Sequence, residues 1–302
     1  MDYKRIVQGI LDIGEEMLIC GAENFRLEDS LYRMCKSYGF VQYDVFVIPS
    51  NLQITIETPD GEIITQIRHI ESTDMDFDRL DYLNNLCRYV CKNKPDAQEI
   101  QQKLQEVRER PGQRWFTPYL AAVMGGTGFA VFFGSNFADA LVAVIVSLMI
   151  VVVGGWLGKR EGNVLIYNLI LSFLSELIII LCVRMGLGSH PERIMIGIVM
   201  LLISGLGTTN GIRDILQRDF ISGFLNIMNS LLGAAGIAFG TALAMFLLDG
   251  VTAEGFIINH DVPIQLISCT IACTGFAFWF KIRGLVSAST QKQFGILQKL
   301  MH

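Results

Sequence analysis

The sequence carries little charge for its length. Asp, Glu, Lys and Arg make up 18% of its 302 residues, against about a quarter in an ordinary soluble chain. That charge is unevenly placed. Residues 1–116 hold 14 of the 24 Lys+Arg and 20 of the 29 Asp+Glu, so the composition shifts near Trp115. No basic block is present, which argues against nucleic-acid binding. The opening MDYKRIVQGILDIGEEMLICGAENF lacks the continuous apolar core and small-residue cleavage site of a secretory leader. The seven cysteines are an odd set, and without a leader they do not suggest a disulfide framework. Cys87 and Cys91 share helical spacing, as do Cys269 and Cys273, but no His/Cys cluster completes a metal site. Small buried apolar side chains are the plainer reading. The GGTG stretch is not followed by GK[ST] and is no phosphate loop. No Ser/His/Asp or Cys/His constellation suggests hydrolysis. Neither a cofactor, nor a metal, nor an enzymatic activity is expected.

What the chain does have is apolar residues: 51% of the whole, with a mean hydropathy of +0.43. In the charged first part they follow short periods. Ile6, Ile10, Leu11, Ile13, Met17 and Leu18 predict a helix ending at Gly21, and a second runs from about Arg26 to Tyr38. YDVFVIPS and LQITIE read as strands, and TPDGE (Thr58–Glu62) as a hairpin turn into EIITQIRHI. Leu80, Leu83, Leu86 and Val90 then share a helix face, and DAQEIQQKLQEVRER makes a last charged helix before Pro111-Gly112. This is an α+β pattern over residues 1–114.

The second part reads as membrane. Apolar segments recur at 118–135, 138–158, 163–186, 193–207, 220–248 and 264–280, near the length of about 20 residues a span needs. Six spans are expected: five within 115–250, and the sixth in 251–302 with a loop before it and a short tail after. Placing the N-terminal domain in the cytoplasm puts Lys159, Arg160, Arg213, Arg218, Lys281 and Arg283 inside. Asp249, Glu254, His260 and Asp261 then fall in a polar outer loop. The fold class is therefore an α-helical multi-span membrane protein with an N-terminal cytoplasmic α+β domain, in the plasma or inner membrane. Glycines in the spans, such as Gly125, Gly128, Gly233, Gly236 and Gly240, serve close helix packing or flexible helices around a pathway.

Ionisable groups at membrane depth cost about 3 kcal/mol on insertion scales and are often functional. Glu176, near the middle of the third span, is a candidate proton carrier. The alternative is a carboxyl hydrogen-bonded to Ser172, Ser175 or a neighbouring helix. Asp139 either caps the second span or belongs to an ion pathway. In TTNGIRDILQRDFISG (208–223), Ile212, Ile215, Leu216 and Phe220 share one helix face, and Arg213, Asp214, Gln217 and Arg218 the other. Asn210 can cap this helix, and Asp214 to Arg218 is an i,i+4 acid-before-base pair. An amphipathic helix at the cytoplasmic interface accounts for the stretch.

Three stretches together resemble the threonine/serine exporter (ThrE-like) family. They are GAENFRLEDSLYRM (21–34); VFVIPSNLQITI with RLDYLNNLCRYV; and TTNGIRDILQRDFISGF with GIAFGTAL. The resemblance runs through the first five spans, to about residue 248. It implies a proton-driven secondary exporter of small polar metabolites: threonine and serine, or a dicarboxylate such as succinate. It marks Gly21, Glu23, Arg26, Glu28 and Asp29 in the cytoplasmic domain. At the junction of the fourth and fifth spans it marks Asn210, Arg213, Asp214, Ser222 and Gly223, which implies a polar gate or substrate-facing element at the cytoplasmic mouth, carried on that interfacial helix. Two positions depart from many relatives: Ser204 stands where a proline precedes Gly205, and Asn226 where a basic residue is expected. ISCTIACTGFAFWFKIRG resembles the first span of the family's second membrane half, so a second membrane subunit of the same family is the expected partner, beside substrate and lipid. The rival readings are a membrane-tethered metabolite sensor and a truncated, nonfunctional product.

Overall fold

The computed structural model describes residues 2–71, 73–248 and 262–282. The expected outer loop, with Asp249, Glu254, His260 and Asp261, lies outside the described residues, as do Arg283 and the tail. The N-terminal module runs α1 (Tyr3–Ile19), α2 (Asn24–Ser37), β1 (Gln42–Ile48), β2 (Asn51–Glu57), β3 (Ile63–His69), α3 (Phe77–Asn93) and α4 (Ala97–Arg108). The strands form one antiparallel sheet in the order β1-β2-β3. Its β2–β3 turn is the expected hairpin: Thr58 N donates to Glu62 O at 2.9 Å, and Gly61 takes φ +81, which a residue with a side chain rarely adopts. Alternation puts Val45, Val47, Leu52, Ile54, Ile56 and Ile64 on one face. They pack against the apolar stripes of α1 and α2 in a single core with Leu83, Leu86, Val90, Ile100 and Leu104.

The second part is helical throughout its described residues: α5 (Thr117–Phe132), α6 (Phe137–Leu157), α7 (Val164–Arg184), α8 (Pro191–Leu202), α9 (Gly205–Leu216), α10 (Phe220–Leu247) and α11 (Val262–Trp279). Four of these, α6, α7, α10 and α11, are long and apolar enough to cross a membrane alone. Where the fourth span is expected, α8 and α9 meet at a 51° bend, the geometry of a broken span or of a re-entrant pair, so four or five spans replace the six expected. The expected first span is the 16-residue helix α5, about 24 Å long at 1.5 Å per residue, which is short of a hydrocarbon core of about 30 Å.

Small residues set the helix pairs. On α10, Gly233, Gly236 and Gly240 lie in order against α7 from Val164 to Phe173, so these two helices run parallel. α5 runs antiparallel to α11, where a methyl on Gly275 would sit 2.7 Å from Gly125 N. Without a hydrophobic drive between helix and lipid, such close backbone approach supplies the attraction. Large apolar side chains such as Phe137, Val152, Trp156, Phe224 and Phe246 point outward, as lipid-facing residues do.

The module is seated on one end of this bundle. Ser222 Oγ, at the start of α10, donates to Val47 O of β1 at 3.2 Å. Beyond the end of α11, Phe280 O accepts from Phe77 N at 3.3 Å, and Lys281 Nζ pairs with Asp74 at 2.5 Å and Asp76 at 3.3 Å.

Candidate functional site

The bend between α8 and α9 starts the site. Ile203 leaves the helix with extended backbone, φ −71 and ψ 131, and α9 begins at Gly205 without a side-chain cap from Ser204. Asn210 therefore lies inside α9 rather than at its start, which corrects the capping expectation. At the other end α9 stops at Leu216, and Arg218 turns left-handed with φ 70. That turn carries Arg218 out of helical register, so among the described residues the expected Asp214–Arg218 pair does not form. Asp219 instead caps α10, accepting from Ser222 N at 3.2 Å.

On α9 the apolar Ile212 and Leu216 are exposed and the polar face is the covered one. Asp214 is only 2% exposed. It accepts from Asn226 Nδ2 of α10 at 3.0 Å and from Asn24 Nδ2, the first residue of α2, at 3.4 Å. Beside it, the Arg213 guanidinium pairs with Glu23, whose carboxylate also holds Arg26 at 3.0 Å. Two motifs far apart in sequence thus meet here. Two glycines bring α10 close enough to α9 for the Asn226 bond: a methyl on Gly223 would lie 2.7 Å from Gly211 O, and one on Gly211 2.9 Å from Gly223 O. On the module side, Gly21 turns the chain into α2 at φ +83, with Met75 Sδ 2.7 Å from where a Cβ would stand. Burial, and then the nearby charge of Asp219, push the Glu28 carboxyl above its usual range. Asp29 is elsewhere, paired with Arg33 on the exposed side of α2.

Glu176 forms a second polar focus inside the bundle. It is 2% exposed, and its Oε2 has no hydrogen-bond partner. Neither serine satisfies it: Ser175 donates to Leu171 O and Ser172 to Leu169 O. The carboxyl lines a small cavity of about 10 Å³ with Ser172, Ser175, Thr241 and the last turns of α8 up to Leu202.

Both foci fall within a single family match. The ThrE family, described as "Putative threonine/serine exporter", matches residues 8–248, from α1 to the end of α10. The chain belongs to the ThrE family. It is also 20% identical, over 266 residues, to a "Probable threonine/serine exporter" of Mycobacterium tuberculosis. That match covers 86% of this chain and 49% of the other, so the chain spans about half the length of this curated relative. No solved structure matches it. The ThrE family is one of exporters rather than enzymes, and its name and the apolar helices place the chain in a membrane.

The remaining marked residue of this ThrE chain, Asp139, is fully buried and closes a capping box with Asn136. Its Oδ1 accepts from Ser189 N at 2.7 Å and His190 N at 3.2 Å, and its Oδ2 lies 2.9 Å from His190 Nδ1. The geometry is that of a cap which also ties the α7–α8 loop down. Three participants were not singled out in the sequence: Asn24, His190 and Thr241. Asn24 sits inside the GAENF motif, which was the signal available for it. His190 and Thr241 gave none, because a lone histidine in a loop and a threonine in an apolar helix have no pattern.

Proposed function

We propose that this chain is an ion-coupled secondary exporter of small polar metabolites, threonine or serine or a dicarboxylate such as succinate, working with a second membrane half. The module is the cytoplasmic face. The α9–α10 junction is the gate at that mouth, with Arg213, Asp214, Asn210, Ser222 and Asn226 as its polar surface. Asp139 closes the far end of the helix bundle as a cap. Glu176 carries the coupling proton.

The observation that carries this reading is the Asn24–Asp214–Asn226 triad beside the Glu23–Arg213 pair. An acidic side chain buried between two amides, next to an arginine held by a second acid, offers charges of both signs to a zwitterion or a diacid. The bend above it is the kind of discontinuity around which transporter sites are built. The N-in orientation is supported by Lys159, Arg160, Arg213, Arg218 and Lys281, which lie at the module's end of the bundle.

Proteoliposomes holding the chain and its second membrane component test the proposal. Imposing a pH gradient should drive efflux of threonine, serine or succinate. Metabolite binding by the full chain with no flux under any gradient would sink the exporter reading and favour a sensor.

A further inference from the structure

Two consecutive residues of the module meet two consecutive residues of α9. Glu23 pairs with Arg213, and Asn24 Nδ2 donates to Asp214 Oδ2 at 3.4 Å. The first contact places a carboxylate on a guanidinium, and the second an N–H donor on a carboxyl. A carboxylate and an N–H donor a few atoms apart are also the two ends of a small zwitterion. The helix that carries Glu23 and Asn24 makes no use of either side chain. Glu23 is the N-cap of α2 but forms no side-chain cap bond. Asn24 is of a type that favours capping, yet it stands one position later and reaches the bundle instead.

Both contacts are open to exchange. The Asn24 bond is near the outer limit of a hydrogen bond and longer than the 3.0 Å bond of Asn226 to the same oxygen. An ammonium in its place is a charged donor and bonds more strongly than an amide. Glu23 divides its carboxylate between Arg213 and Arg26, and the Glu23 and Arg213 side chains keep access to solvent. The module is also fastened differently on its two sides. Toward α9 and α10 it adds Ser222 Oγ to Val47 O at 3.2 Å, and its apolar core includes no described residue of either helix. Toward α11, Lys281 bridges Asp74 and Asp76, the rings of Phe77 and Phe280 meet edge to face at 6.0 Å, and Gln113 Nε2 donates to Phe278 O at 3.0 Å. The chain itself crosses on that side, from α4 into the α5 that packs on α11. One side can therefore open while the other holds.

We propose that Arg213 and Asp214 form a binding site for a small zwitterion, filled here by the module's own Glu23 and Asn24. The substrate carboxylate replaces Glu23 on Arg213. Its ammonium replaces Asn24 on Asp214, beside Asn226. The module then swings off the junction about its α11 side. Until that happens it is a tethered competitor, which lowers the apparent affinity for substrate. The inference rests on the reading of the α9–α10 junction as the cytoplasmic gate. It favours a zwitterion over a diacid, which has no cationic donor for Asp214.

Hydrogen exchange and ligand binding by the full chain in lipid nanodiscs test this without measuring flux, with L-threonine as the zwitterion and succinate as the diacid. Threonine should speed amide exchange in residues 21–27 and leave residues 74–80, on the α11 side, unchanged. Succinate should do neither. Asn24→Ala removes the competing donor and keeps the site, so threonine should bind about threefold more tightly. Glu23→Gln, which keeps the shape of the side chain, should do the same. Loss of a merely structural contact would not tighten binding. Asp214→Ala should abolish binding. Threonine bound with exchange in residues 21–27 unchanged overturns the proposal. So does equal release of the module by succinate, threonine affinity unimproved in both module variants, or no threonine binding by the wild type and these variants alike. Release of the module by threonine without flux in proteoliposomes would count against the exporter reading alone.

Discussion

Asn226 of α10 donates to Asp214 of α9 at 3.0 Å, and the same carboxylate oxygen accepts from Asn24, 190 residues away in the module. Asn226 stands where a basic residue is expected by resemblance. A cation there would neutralise Asp214. An amide satisfies one oxygen and adds no charge of its own.

Asp214→Ala therefore removes the group on which both amides converge. It should lower flux at least tenfold in proteoliposomes while membrane insertion, read by protease protection, stays unchanged. Loss of one partner from a buried polar network costs about 1–3 kcal/mol, so the melting temperature should also fall. Wild-type flux in a well-inserted Asp214→Ala chain would reduce the junction to a connector.

The Glu23–Arg213 pair is open to solvent, with side chains 23% and 36% exposed. Pairs of this kind contribute about 0.2–1 kcal/mol. Glu23→Arg with Arg213→Glu should therefore restore much of the stability lost by either single change. If the pair only fastens the module, flux returns with it. If Arg213 also meets substrate, the double variant stays inactive, and a substrate titration separates the two outcomes.

Gly223→Ala should be worse than its size suggests. The added methyl would stand 2.6 Å from Ile215 Cγ1 and 2.7 Å from Gly211 O, and the backbone oxygen cannot swing aside. Overpacking of this kind costs about 1–3 kcal/mol. The change should separate α9 from α10 and break the Asn226–Asp214 bond, seen as a lowered melting temperature and faster amide exchange in α9.

Glu28 gives the module's seat a pH dependence. Its carboxyl is raised by burial and by Asp219, so the folded state favours the protonated form. The stability this contributes is fully present below the unfolded carboxylate range and is lost as pH rises through the raised value. Glu28→Gln should remove that dependence and stabilise the chain near neutral pH. Melting curves of both proteins across the acidic range check this, and parallel curves would show that Glu28 does not report on the seat.

Ser147 is buried on α6 with an unpartnered hydroxyl. Ser147→Ala removes a polar atom with nothing to bond, beside Gly126, and should be neutral or stabilising by about 1 kcal/mol. A clear loss of flux with unchanged stability would instead give this hydroxyl a place on the pathway.

Much of the architecture was legible because it rests on local pattern. The alternation in LQITIE placed Leu52, Ile54 and Ile56 on the core face, and TPDGE fixed the hairpin. The run Val164–Arg184 is a span by length alone. The bend at the expected fourth span was not legible. Ser204-Gly205 reads like any small-residue step, and whether a helix bends there depends on what receives its two halves. The covering of α9's polar face was hidden for the same reason. Arg213 and Asp214 look solvent-bound until the module is seated against them.

The sequence by itself determined the two parts, the strands, the apolar helices and the motif positions. These follow from hydrophobic period and turn chemistry over a few residues, which tertiary context seldom overrides. Only the tertiary structure decided that the GAENF and NGIRD motifs touch, that Asp214 is held by Asn24 and Asn226, and that Glu176 faces hydroxyls whose protons are spent elsewhere. Those facts depend on close approaches between helices, at Gly211 against Gly223 and at Gly240 against α7, and on the seating of the module. The absence of a side chain is written in the sequence there, but the partner that needs the space is not.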